Sequence, residues 1–173
     1  SFEKEYITKS GSVIWVDLTT AVYRDDSGAI QGYIGTVADI TERKRAETAL
    51  KQSESEKSLI LNTTQEMIAY YRSPDLTIAW ANRSAVESAD YGDTGIEYKH
   101  CYELWQNRSE PCEHCPVLAA FDTGRPMTAE KTAPDGKVWL IRTYPAIEDG
   151  RVAGVIELGL DITERKEAEA EIE

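Results

Sequence analysis

Three cysteines and two histidines crowd one stretch of the chain, as His100-Cys101 and Cys112-Glu113-His114-Cys115. Cys-x-x-Cys spacing lets both sulfurs address one point, as zinc and iron–sulfur sites require, and it equally allows a reversible disulfide. Pro111 and Pro116 bracket the pair and restrain its loop. A second Cys-x-x-Cys is missing, so a Zn or Fe site would have to be completed by Cys101 with His114 or His100. The competing reading is that the thiols are structural and inert. An enzyme reading, a small thiol oxidoreductase working through Cys112 and Cys115, lacks the βαβ pattern that should precede such a pair.

The scaffold that must hold these residues has 173 residues, 41% of them hydrophobic, enough for one full domain and a fragment. Nineteen basic residues against thirty-one acidic ones give a net charge of −12. Such a surface repels phosphate backbones and anionic lipid, so nucleic acid is not an expected partner. No apolar run approaches the roughly 20 residues that span a bilayer. An odd number of cysteines argues against a secreted disulfide framework and for a reducing, cytoplasmic compartment.

One phrase is written twice. Asp39-Ile40-Thr41-Glu42-Arg43-Lys44 returns as Asp161-Ile162-Thr163-Glu164-Arg165-Lys166, and Ala46-Glu47 returns at the same offset as Ala168-Glu169. Each copy follows an apolar β-like run (31–38, 151–160) and precedes a charged stretch without Gly or Pro, so each is a strand-to-helix joint. Asp39 or Asp161 at the helix start, with Glu42 or Glu164 three residues on, has the spacing of a capping box. The phrase resembles the Asp-Ile-Thr-Glu-Arg motif of PAS sensor domains, the PAC motif, which closes the domain and couples its last strand to an output helix. The resemblance makes Asp39, Thr41, Arg43, Asp161, Thr163 and Arg165 the signal-relay joint.

Read in order, residues 1–40 give three strands (2–8, 13–23, 29–38) with turns at Lys9-Ser10-Gly11-Ser12 and Asp25-Asp26-Ser27-Gly28. They look like the last three strands of a PAS domain whose earlier part would lie upstream, so this copy is not expected to form the usual pocket. Residues 41–63 read as a linker or signalling helix with apolar clusters at Ala46, Ala49, Leu50 and at Leu59, Ile60, Leu61. Ala46 and Leu50 recur as Ala168 and Ile172, the seam a short two-stranded coiled coil needs, which predicts a homodimer through the linker helices and the exposed sheet. Residues 64–163 read as a complete PAS domain, and 164–173 as the start of an output helix. Within the domain, strands fall at 67–72 and 77–82, and Asn82 caps a helix at 83–89. Helices follow at 98–105 and 116–121, then strands at 127–132, 137–147 and 151–160. The expected class is therefore α+β, a five-stranded antiparallel PAS sheet with helices on one face, preceded by a partial meander and a linker helix.

The resemblance also implies a pocket on the concave face of that sheet. The register of flavin-binding relatives turns Val155, Glu157 and Gly159 inward and Ile156, Leu158 and Leu160 outward, where the linker around Leu59–Leu61 or a second subunit would cover them. On the neighbouring strand the inward set is Trp139, Ile141 and Thr143. Glu157 is the notable member, because a carboxylate on a concave face needs a partner or a ligand. Flavin photochemistry is not expected, since the Asn-Cys-Arg-Phe-Leu type sequence is absent, and a haem reading lacks a histidine on the helix starting at Pro116. A subset of PAS domains from anaerobe sensors is similar around Cys-Tyr-Glu and Pro-Cys-x-x-Cys-Pro. The resemblance implies a sensory module for a small ligand or redox state, joined in its parent to an output domain such as a histidine kinase or diguanylate cyclase. The sequence carries neither a phosphoacceptor-histidine region nor a nucleotide-binding glycine motif, so the segment itself is expected to be catalytically silent.

Overall fold

A computed structural model describes residues 1–89 and 95–171. The chain divides into two compact units, Ser1–Ser58 and Leu59–Glu173. Ile172, named from the sequence, lies outside the described residues.

The first unit is an antiparallel meander of β1 (Phe2–Ile7), β2 (Val13–Arg24) and β3 (Ile30–Asp39), in that order across the sheet. Asp25 sets the second turn by accepting at Oδ1 from the amides of Ser27 and Ala29, while Gly28 supplies the positive φ (83°) that the turn demands. Three strands with few partners bury little. Val16 is the buried apolar side chain among the described residues of this unit, whereas Ile7, Val22, Ile30, Tyr33, Ile34 and Val37 stay exposed. The helix α1 (Thr41–Thr63) follows β3; it buries none of its residues, as its polar circumference requires.

The second unit holds β4 (Met67–Tyr71), β5 (Ile78–Ala81), α2 (Arg83–Ser88), α3 (Cys101–Gln106), α4 (Pro116–Thr123), β6 (Met127–Thr132), β7 (Val138–Glu148), β8 (Arg151–Asp161) and α5 (Thr163–Ala170). Its sheet runs β5-β4-β8-β7-β6 with every pairing antiparallel. This is the α+β, five-stranded architecture that the PAS resemblance implies. Alternation sorts the faces: Met67, Ala69 and Tyr71 on β4 are buried between half-buried neighbours, and Val155, Glu157 and Gly159 on β8 share their side. Gly159 is required where it stands, because a Cβ there would meet Met67 Cγ at 2.5 Å.

Asn82 does more than cap. Its Oδ1 accepts from the amides of Ala85 and Ile68, and its Nδ2 donates to the carbonyls of Leu61 and Glu66. A fully buried amide with both ends satisfied ties the end of α1, the start of β4 and the start of α2 together. The α3 helix starts at Cys101, later than the expected Tyr98, because residues 98–100 extend along β5: the Tyr98 amide bonds the Ile78 carbonyl at 2.8 Å and the Ile78 amide bonds the Lys99 carbonyl at 2.9 Å. α4 begins with Pro116 at its first turn and ends on left-handed Gly124. Leu59 and Ile60 remain exposed, so they do not cover the outer sheet face, where Ile156 and Leu160 are also exposed. No described helix is long and apolar enough to cross a membrane.

Candidate functional site

The concave face of the second unit encloses a cavity of about 340 Å³. β7 and β8 supply Trp139, Ile141 and Glu157 to its wall, β4 supplies Met67, α3 supplies Cys101, Tyr102 and Trp105, and the α4 start with its preceding loop supplies Cys112, Cys115 and Pro116. Lys131 and Asp135 also line it. Of the six pocket residues named from the sequence, Trp139, Ile141 and Glu157 line the cavity. The other three do not: Thr143 is fully buried and donates to the Pro116 carbonyl at 3.1 Å, Val155 packs into the core, and Gly159 lies beneath Met67.

Glu157 is held by one neighbour. The Tyr71 hydroxyl, itself fully buried, donates to Glu157 Oε2 at 2.5 Å. Burial pushes the Glu157 carboxyl above its ordinary value, and the Tyr71 hydrogen bond opposes that rise. Burial, and then the neighbouring Glu157, push the Tyr71 phenol well above its own. Sequence reasoning missed Tyr71 as the partner, although β4 alternation puts it on the same face as Met67 and Ala69.

The cysteines belong to this cavity. Cys101, Cys112 and Cys115 all line it, whereas His114 is exposed on a left-handed turn residue (φ 52°). His100 is occupied elsewhere: Nδ1 lies 3.1 Å from the Asp75 carbonyl and its ring stacks on Tyr102. The four residues Cys101, Cys112, Cys115 and His114 are therefore not assembled as one ligand set. Among the described residues, no three His, Cys, Asp or Glu side chains are grouped to hold a metal ion. All three thiols are free. Burial raises the Cys101 thiol far above its ordinary value, with Glu157 adding to the effect. Burial likewise raises Cys115 against the pull of the Leu118 and Val117 amides. Such thiols stay protonated at neutral pH and are poor nucleophiles.

β8 carries Glu157 in the cavity wall and ends at the joint. There Asp161 Oδ1 accepts from both the amide (2.9 Å) and the hydroxyl (2.5 Å) of Thr163. Thr163 Oγ1 in turn accepts from the Val138 amide on β7 at 2.9 Å, and the Ile162 amide bonds the Val138 carbonyl at 2.8 Å. The first unit repeats this arrangement with Thr41 bonded to Asp39 and to Trp15. The capping-box expectation is corrected at α5. Ile162 holds the N-cap position without a side-chain cap bond, and Asp161 stands one residue earlier, where it orients Thr163. Arg43 pairs with Glu3 and Glu47, and Arg165 with Glu169, all on exposed surface.

Comparison with known proteins bears on this geometry. A family profile described as PAS fold matches residues 61–167, and one described as PAS domain matches residues 1–42. An uncharacterised protein of Sinorhizobium fredii is 30% identical over 178 residues, covering 93% of this chain and 20% of its own length. Sporulation kinase C of Bacillus subtilis is 35% identical over 71 residues, 39% of this chain and 17% of its own. The chain thus spans a small part of these relatives. Among solved structures, the PAS domain of an HTR-like protein from Haloarcula marismortui is similar with a TM-score of 0.53 at 17% identity, over 69% of this chain and 100% of that one.

Proposed function

The chain belongs to the PAS family, and from that premise we propose that it is a sensory module whose second unit reads a small ligand and passes its state through β8 and α5 to a downstream output domain. The observation that carries this reading is that one strand does both jobs: β8 puts Glu157 into the cavity wall and Asp161 into the strand-to-helix joint. A ligand that moves Glu157 moves the strand that holds α5. A histidine kinase is the output domain this reading favours, supported by the similarity to a sporulation kinase. The module works as a homodimer in the cytoplasm, and the segment itself carries the signal without performing chemistry.

The thiol-redox alternative is weaker, because Cys101 and Cys115 are held as thiols and the metal candidates do not group together. Two measurements test the reading. Mass spectrometry of small molecules released from the purified chain should identify a stoichiometric occupant. In the parent protein, Asp161→Ala should change the level of kinase autophosphorylation while the melting temperature falls by only a few degrees. Unchanged output together with a large drop in melting temperature would make the joint a purely structural feature.

A further inference from the structure

Glu157 is a buried carboxyl with one hydrogen-bond donor, Tyr71, which engages Oε2. No other described residue gives Glu157 a hydrogen bond or an ion pair, and its side chain lines the cavity. A buried carboxylate with a single neutral partner is costly; with no ligand it is relieved by taking up a proton, and with one it is relieved by a donor or a positive charge. Tyr102, Trp105 and Trp139 line the same space and offer large apolar surfaces to the body of a ligand. The one basic side chain among the described lining residues, Lys131, donates to the Glu113 carbonyl at 3.0 Å. An anionic ligand would meet Glu157 and Asp135 in this wall with only that one basic group to oppose them. Size sets the remaining limit. A dry cavity of about 150 Å³ takes benzene, so about 340 Å³ takes a ring with a short polar arm.

We infer that the cavity selects a small organic amine, with its ammonium on Glu157 and its apolar body among Tyr102, Trp105 and Trp139. This rests on the reading of the cavity as the sensory pocket, and it names the ligand class that pocket takes.

The test uses the full chain and three probes with one body: phenethylamine, 3-phenylpropionate and 2-phenylethanol. Affinities are read by ligand-observed NMR at millimolar probe concentration and by calorimetry. Phenethylamine should bind at least tenfold more tightly than 3-phenylpropionate. Glu157→Gln, of the same shape, should erase that preference, and Lys131→Met, which removes the one positive charge among the described lining residues, should not weaken amine binding. Binding of the carboxylate as tight as that of the amine, or an amine preference that survives Glu157→Gln, overturns the inference. If Glu157→Gln fails to fold, loss of amine binding in Lys131→Met overturns it, and amine preference retained there supports it. Equal binding of all three probes would refute the amine class while leaving a ligand-taking sensory pocket intact. Absence of binding by all three would count against both.

Discussion

At the scale of single residues, the consequential contact is the one between Tyr71 and Glu157. Burial raises the Glu157 carboxyl in the folded state, so between its ordinary value and its folded value the native chain binds more proton than the unfolded chain does. Stability from this group is therefore fully present below the ordinary glutamate pKa of about 4.3 and is lost as pH rises through the folded value. Glu157→Gln cannot titrate. Its melting temperature relative to the natural chain should rise as pH increases above about 4.3, and thermal melts in a pH series read that difference directly. The lowered carboxyls Asp161 and Asp75 act in the opposite sense and in a separate window, since their contribution is lost as pH falls below the ordinary aspartate range. A difference that is flat across the series would mean that Glu157 is charged and well solvated in the folded chain. The inward placement of Glu157 follows from strand alternation and is legible in the sequence. Its partner is not, because Tyr71 reaches it only once β4 and β8 pair with Tyr71 opposite Val155.

At the scale of elements, two short side chains hold the unit's ends. Asn82→Ala would leave the amides of Ile68 and Ala85 and the carbonyls of Leu61 and Glu66 without their buried partner, and should cost roughly 2–4 kcal/mol in chemical denaturation. Thr163→Val keeps the shape but strands the Val138 amide, whereas Thr163→Ser preserves the bond. The valine variant should lose about 1–2 kcal/mol and the serine variant less than half of that. A larger loss in the serine variant than in the valine variant would assign the effect to packing of the methyl group. These joints explain what the sequence shows and what it hides. The repeated Asp-x-Thr spelling marks a strand-to-helix joint, and Asn82 ahead of Arg83 marks a helix start, because both are local chemistry. That the Thr hydroxyl, and not a Glu three residues on, closes the joint depends on where Val138 or Trp15 lies in space. For the same reason, Cys101 and the Cys112-x-x-Cys115 pair look like a separate metal cluster in sequence, while α3 and the α4 start carry them into one wall with Glu157.

At the scale of the whole molecule, the first unit poses a problem of unsatisfied surface. Its three strands expose Val22, Ile30, Tyr33, Ile34 and Val37, and a three-stranded sheet needs a covered face to be stable on its own. An exposed apolar sheet is also a template for pairing with another chain. A second copy offers the same face, and isologous contact through it would place two α1 helices with the Ala46 and Leu50 seam in reach of each other. Each chain carries −12, so two copies repel at low ionic strength and approach more readily as salt screens them. Light scattering at micromolar concentration should therefore report a dimer whose dissociation constant falls as salt rises. Tyr33→Glu together with Val37→Glu, placed on the exposed strand β3, should shift the chain to monomer by at least tenfold while the melting transition of the second unit, which has its own core, stays in place. A chain that is monomeric at every salt concentration, with slow hydrogen exchange across β1 to β3, would show instead that the meander is covered from within the same chain.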